Sequence, residues 1–530
     1  MPTIQFKGKS FVQNHHLAVP YHQLVPNKEN SLTDSLSLND NLIIHGDNLL
    51  ALKALLPTYA GKVKCIYIDP PYNTGNEGWV YNDNVNSPLI NDWIGKVVGK
   101  DGEDLTRHDK WLCMMMPRLK LLKELLSDDG VIFISIDDNE IHHLRELADE
   151  IFGAGNFITN FIWKKKSTST NVEGVQVSSL TDYVICYGRS NKAKLKPRVR
   201  AKETRSYPYK DKGGNYRLAI IEKKHAGSYK RDSMLFEILG QRPRPGKRWQ
   251  IGQELALKLE GEERLVAQNG VIKRKIYDFE DKDTFSAQPN LLDNYGTTDS
   301  AQKLLTEIFG KAEVFDNPKP PELIKHLISI SCDDSDLVLD SFAGSGTTAQ
   351  AVLELNRKSG GKRKFILVEL ENKVANDITA ERARRVIKGL PNSKNTLFGN
   401  GLGGTFSYFE LGDAIETSSL LSGSKLPSYK ELARYIFYTA TGEEINESAI
   451  DESKDYVGKS NQYEVYMLYK PDIEYLKTTA LTLDAGRKLR NENGDKQLLV
   501  FAPTKYIEQT ELDNLKITFC QLPFEIYKVA

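Results

Sequence analysis

Short, unbroken apolar runs recur along this chain, and their spacing predicts a fold before any chemistry is considered. Cys65-Ile66-Tyr67-Ile68, Val131-Ile132-Phe133-Ile134, Leu337-Val338-Leu339 and Phe365-Ile366-Leu367-Val368 are each bounded by polar, Gly or Pro residues. Runs this short, without polar alternation, are expected of parallel strands covered on both faces. Between and around them apolar residues recur at helical spacing. Ala351, Val352 and Leu355 share one side of the stretch 347–356, and Leu112, Met114, Met115, Met116, Leu119 and Leu122 read as a core-packed helix. Beyond about Gly401, short runs at 463–468 and 498–501 alternate with polar helical patterns, which predicts a small α/β module. Residues 1–40 lack these patterns and read as a loosely ordered polar leader.

Two of the runs end in chemistry, at the strand ends where open α/β sheets bind ligands. The first leads into Asp69-Pro70-Pro71-Tyr72. Pro70 biases Asp69 toward extended backbone and Pro71 fixes its own φ without offering an N–H, so the turn is stiff and rich in acceptors. An exocyclic amine on a nucleobase is a poor nucleophile because its lone pair is delocalised into the ring. Asp69 and the Pro70 carbonyl suit the task of accepting its protons, and Tyr72 offers a face for a base outside the duplex. On its own the string also fits an ordinary turn.

The second run leads through Asp340 into Ser341-Phe342-Ala343-Gly344-Ser345-Gly346-Thr347-Thr348. Strand, glycine turn and helix follow one another, and Glu369 ends the next strand about 20 residues later, where a carboxylate can take ribose hydroxyls. This pattern fits a dinucleotide as well as S-adenosylmethionine. However, the full Gly-x-Gly-x-x-Gly is absent from this turn and occurs only at Gly399–Gly404, where it follows no apolar strand and opens no helical pattern. No Gly-x-x-x-x-Gly-Lys-Ser/Thr occurs, so no ATPase motor is expected. No Pro-Cys pair occurs either, which argues against cytosine C5 chemistry with its cysteine nucleophile.

Composition adds four constraints. At 530 residues, 40% of them hydrophobic, two or three domains are expected. The five cysteines, at 65, 113, 186, 332 and 520, have no Cys-x-x-Cys spacing, so neither a disulfide frame nor a metal site is expected and a reducing cytoplasm is the natural compartment. No stretch approaches ~18 uninterrupted apolar residues, so no membrane span is expected. Lys and Arg balance Asp and Glu at 71 each, yet residues 189–250 hold 19 Lys and Arg against 5 Asp and Glu. Aromatic residues are interleaved there, as expected of a double-stranded DNA contact. Arg198, Arg200, Arg205, Tyr207, Tyr209, Arg242, Arg244 and Arg248 are the candidate DNA-binding residues. Spacing does not say which of them reads bases and which meets phosphate.

The order Asp-Pro-Pro-Tyr, long middle segment, Phe-Ala-Gly-Ser-Gly-Thr-Thr resembles the amino-group DNA methyltransferases of the β order. Within them it looks most like the modification subunits of type III restriction systems. Ile44-His45-Gly46-Asp47-Asn48, Asn317-Pro318-Lys319-Pro320, and residues 131–138 with 158–164 are similar to further segments of that family. The resemblance implies an α/β, Rossmann-like S-adenosylmethionine-dependent methyltransferase fold in circularly permuted order. It divides the chain into a leader (1–40), a catalytic half (41–165), a target-recognition insert (166–300), a cofactor-binding half (301–400) and a C-terminal module (401–530).

Asp69, Pro70, Pro71 and Tyr72 are implied to be catalytic, and S-adenosyl-L-methionine is implied to meet Asp47, Asn317, Lys319, Asp340, Phe342, Ala343, Gly344, Ser345, Gly346, Thr347 and Glu369. Asp47 also fits a plain helix cap, and 317–320 a plain extended loop. A leading Asp in the first motif favours adenine N6 over cytosine N4. A helicase- and nuclease-bearing restriction subunit and a homodimer are the partners implied, and a recognition subunit inactive without its partner is the alternative reading.

Overall fold

Ten strands form one sheet in the computed structural model, which describes residues 3–74, 106–169, 176–391, 393, 396–415, 426–443 and 445–522. In chain order they are β1 (His22–Leu32), β2 (Leu42–His45), β3 (Val63–Ile68), β4 (Leu126–Ile136), β5 (Phe157–Lys164), β6 (Thr181–Gly188), β7 (Leu291–Leu292), β8 (Leu337–Asp340), β9 (Lys364–Glu369) and β10 (Phe406–Ala414). The helices that bear on the site are α1 (Asn48–Tyr59), α2 (Arg107–Leu125), α3 (Ile141–Ala148), α4 (Pro321–Ser331), α5 (Thr347–Ser359) and α6 (Glu381–Lys388).

Across the sheet the strands run β1-β10-β2-β9-β8-β3-β4-β6-β5-β7. From β10 to β4 all neighbours are parallel, while β6 is antiparallel to both β4 and β5. Successive residues of one strand feed two cores: Ile66 and Ile68 join one cluster, Cys65 and Tyr67 the other. Burial on both faces is why these strands read as unbroken apolar runs. Met114, Met115 and Met116 are buried in α2, as the helical spacing predicts.

β8 and β3 are adjacent and parallel, with Val338 opposite Cys65 and Leu339 opposite Ile66. From β3 the chain proceeds to β4 on one side, and from β8 to β9 on the other. Strand order therefore reverses between β8 and β3, which makes this the switch point where an open sheet forms its ligand crevice.

Two expected boundaries shift, and the leader differs in character. The insert expected at 166–300 is a compact unit over 196–288, because β6 and β7 belong to the main sheet. The unit has its own four-stranded sheet and a small core of Ile221, Ile238, Trp249, Leu265 and Ile272. The leader is not loose: β1 pairs with β10, and Val12 and Val19 are buried. The expected C-terminal module begins with β10, a strand of the main sheet. Its helix Tyr429–Thr441 packs into the main core through Leu432, Ile436 and Phe437. Beyond that helix lies a four-stranded sheet with a cluster of its own around Leu498, Val500 and Leu512.

Candidate active site

The two motifs, far apart in sequence, meet at one edge because β3 and β8 are neighbours. A cavity of about 630 Å3 opens there, lined by Asp69, Pro70 and Tyr72 from one side and by Phe315, Asn317 and Lys319 from the other. Asp69 Oδ2 accepts a 2.5 Å ion pair from Lys319 Nζ, while Asp69 Oδ1 is buried without a well-formed hydrogen bond among the described residues. The same ammonium stands 5.0 Å from the centre of the Tyr72 ring. Burial, with the Asp69 charge adding to it, raises the Tyr72 phenol well above its ordinary pKa. Pro71 directs its carbonyl to Trp111 Nε1 at 2.7 Å, which pins the turn to α2.

The glycine turn is built from its own side chains. Asp340, at the end of β8, accepts from the Phe342 amide at 3.1 Å and from Thr348 Oγ1 at 2.5 Å. Gly344 has φ +48, and a Cβ there would lie 2.9 Å from the Phe315 ring that lines the cavity. Glu369 Oε2 accepts from the Gly344 amide at 2.8 Å, and burial pushes this carboxyl up to about 7. The Ala343 amide donates to the Val368 carbonyl at 3.1 Å. Ser345 and Thr347 are bound by Arg382 of α6, whose Nη1 reaches the Ser345 carbonyl, Ser345 Oγ and Thr347 Oγ1 at 3.1, 3.0 and 2.8 Å. Thr347 Oγ1 in turn donates to the Lys319 carbonyl at 3.1 Å, so turn and 317–320 segment are joined.

Asp47 does cap α1, accepting from the Leu49 amide at 2.7 Å, and it pairs at 3.2 Å with the buried Arg118. Its neighbour Asn48 donates to the Ser341 carbonyl at 2.9 Å. The segment 44–48 thus abuts the glycine turn. Among the residues expected to meet the cofactor, Asn317 and Lys319 line the cavity itself, whereas Asp47, Asp340, Phe342, Ala343, Gly344, Ser345, Gly346, Thr347 and Glu369 are not among its lining residues.

A family model described as a DNA methylase, N6_N4_Mtase, matches residues 63–381, from the start of β3 to the start of α6. This chain belongs to that family. It is 34% identical over 408 residues to the StyLTI Mod subunit of a type III restriction-modification enzyme from Salmonella typhimurium (strain LT2), a match covering 72% of this chain and 60% of the relative. The EcoP15I Mod subunit of Escherichia coli is 30% identical, with 70% and 64% covered. The type II methyltransferase M.KpnI of Klebsiella pneumoniae is 33% identical, with 68% and 90% covered. The chain thus spans less than two thirds of the length of these two Mod subunits.

Several residues of this DNA methylase family site escape a reading of the sequence. Trp163, Lys165 and Asp182 also line the cavity, with Lys165 Nζ and Asp182 Oδ1 paired at 2.6 Å. Because β6 is antiparallel, its first residues lie at the same edge as the carboxyl ends of β3 and β8. Asp182, just ahead of the apolar run 183–187, was the available signal. Arg382 gave none, since Glu381-Arg382-Ala383-Arg384-Arg385 reads as a solvated face.

The insert divides the eight DNA-binding candidates. Arg205 and Tyr207 are spent internally on Asp281, which also accepts from Arg217 at 2.6 Å; these donors hold its carboxyl far below the usual range. Arg244 pairs with Glu222 at 2.6 Å, and Arg248 donates to the Tyr229 carbonyl at 2.8 Å. Arg198 and Arg200, on a short exposed strand, and Tyr209, stacked on Tyr216 at 5.5 Å, keep their outward position. Arg242 is exposed with a 3.5 Å contact to Glu237. Phe279 and Phe285 were not foreseen and are exposed by 71% and 66%. No metal-binding role was expected anywhere, but among the described residues His108, Glu140 and His143 do converge.

Proposed function

We propose that this chain transfers a methyl group from S-adenosylmethionine to adenine N6 in double-stranded DNA. One observation carries the reading: Asp69 Oδ1 is a buried acceptor without a well-formed hydrogen bond among the described residues, close to the Tyr72 phenol, on a rigid turn whose Asp69 and Tyr72 line a cavity. A buried acceptor without such a bond costs about 1–3 kcal/mol, a cost relieved when a donor such as an amine N–H arrives.

The cofactor's fit rests on the chain's own groups. Ser341 Oγ is buried without a partner among the described residues, and Glu369 is a carboxyl raised by burial against the relief of its backbone donors, an acceptor that ribose hydroxyls could meet. Phe342 to Thr347 and Asn317 would border the methionine portion. S-adenosylmethionine supplies an electrophilic methyl on a sulfonium. The rest is alignment by protein groups: Tyr72 stacks on an everted base, worth about 1–3 kcal/mol, while Asp69 and the Pro70 carbonyl draw the amine protons and concentrate electron density on nitrogen. Lys319 balances the Asp69 charge in a site with little water to do so.

Arg198, Arg200, Tyr209 and Arg242 are the residues best placed to meet DNA from the insert. The Mod-subunit names of two relatives support a restriction subunit as partner, and a homodimer remains part of the same reading. The cytoplasm, which holds the DNA, is the place of action this reading implies. Among the described residues no helix is long and apolar enough to cross a membrane.

Labelled methyl transfer to unmethylated genomic DNA, followed by digestion to nucleosides, tests the proposal. N6-methyladenine from the wild type and a loss of about 100-fold or more in Asp69→Ala is the expected result. N4-methylcytosine would overturn the base assignment, and undiminished transfer by Asp69→Ala would overturn the role of the turn.

A further inference from the structure

Directly behind the Asp-Pro-Pro-Tyr turn sits a cluster that the mechanism above does not use. Asn73, the residue after Tyr72, is buried with φ +55, and its Nδ2 donates to Glu140 Oε1 and, at 3.2 Å, to the Arg107 carbonyl. Glu140 lies between β4 and α3 and is wholly buried. Two imidazoles close on the same carboxylate: His108 Nδ1 at 2.6 Å from Oε1 and His143 Nδ1 at 2.9 Å from Oε2.

A carboxylate removed from water is tolerated only where donors surround it. Here three donors do so, and one of them belongs to the turn. The left-handed backbone at Asn73 sets the direction in which the chain leaves Tyr72, and for a non-Gly residue that conformation needs outside support. The second anchor, Trp111 Nε1 on the Pro71 carbonyl, comes from α2, the helix that also carries His108.

We propose that Glu140 is a positioning residue: through Asn73 it fixes the Asp69–Tyr72 turn in the geometry that transfer requires, with His108 and His143 holding the carboxylate in place. The proposal rests on the role given above to Asp69. His108, Glu140 and His143 also form a set that a borderline cation such as Zn2+ could bind, but the 2.6 and 2.9 Å separations are those of hydrogen bonds from ring N–H to carboxylate.

The test is a charge swap in the full chain, comparing Glu140→Gln, Asn73→Asp and the double variant. Asp is acceptable at position 73 because it tolerates left-handed backbone nearly as well as Asn. Each single change is expected to lower kcat about 10- to 100-fold, with KM for S-adenosylmethionine and for DNA held within about threefold. In the double variant the new side-chain amide at position 140 donates to the new carboxylate at position 73, while the Arg107 carbonyl loses its Asn73 donor and His108 the oxygen it shared with Asn73, so the recovery is partial. There kcat is expected to recover by about tenfold over the singles. Asn73→Ala, which leaves the carboxylate and both imidazoles in place, is expected to lower kcat like Asn73→Asp, so poor folding of a Glu140 variant does not shield the idea.

Additive losses in the double variant, unchanged kcat in Asn73→Ala, or stoichiometric Zn2+ in the purified protein with loss of activity on chelation would each overturn it. Full activity in Asp69→Ala would instead strike the underlying reading of the turn. Loss in Asp69→Ala beside an indifferent Glu140→Gln would strike only the clamp.

Discussion

Asp340 illustrates how a single side chain can serve a site while weakening the fold around it. Burial first, and the nearby Asp69 charge after it, push its carboxyl up to about 7, against the partial relief given by Thr348 and the Phe342 amide. An acid whose folded pKa lies above its unfolded value of 3.8 binds more protons when folded, so its contribution to stability falls as pH rises from about 4 through about 7. Asp340→Asn removes the ionisation while its amide can still meet the Thr348 hydroxyl. Calorimetry of the ligand-free protein should find the variant's unfolding temperature gaining on the wild type's by about 3 °C or more between pH 5 and pH 8.5. An equal difference at both values would show that ionisation of Asp340 carries no such cost.

At the scale of elements, the glycine turn is held from both sides, by Phe315 against Gly344 and by Arg382 against Ser345 and Thr347. In Gly344→Ala the new Cβ must displace the Phe315 ring toward the cavity, and residue 344 must keep φ +48, at a cost of about 1–2 kcal/mol in backbone terms alone. The expected outcome is a roughly tenfold loss of S-adenosylmethionine affinity by titration calorimetry. Unchanged affinity would mean that Phe315 does not border the bound cofactor. The strands flanking this turn were legible because burial on both faces leaves only apolar residues in them, as in β3, β8 and β9. β1 was not, since it lies at the sheet edge, pairs only with β10 and keeps polar residues such as Asn27, Lys28 and Glu29. β7, two residues long, carries no periodicity at all. The motifs were legible as chemistry, but their partners were not: the Lys319–Asp69 pair joins positions that only the adjacency of β8 and β3 brings together.

For the whole molecule, the division of labour lies at Lys196 and Gln288. The two ends of the insert meet, with Gln288 Nε2 donating to the Lys196 carbonyl at 2.9 Å, so replacing the unit by a short Gly-Ser linker demands little of the chain on either side. The main sheet keeps all ten strands in such a deletion, because β6 ends before the unit begins and β7 starts after it. The cavity keeps its walls too, since every residue lining it lies outside 196–288. Removal does take away the exposed Arg198, Arg200 and Arg242 and the aromatic residues Tyr209, Phe279 and Phe285. Phosphate contacts dominate DNA affinity and its dependence on salt. The shortened protein should therefore still bind S-adenosylmethionine within about threefold of the full chain, while its DNA affinity at fixed salt falls about 100-fold and the salt dependence flattens. Calorimetric cofactor binding beside filter binding at two salt concentrations reads both quantities. If DNA affinity survived the deletion with its salt slope intact, the phosphate contacts would belong to the body that carries the cavity, and the basic run at 189–250 would be a solvated face.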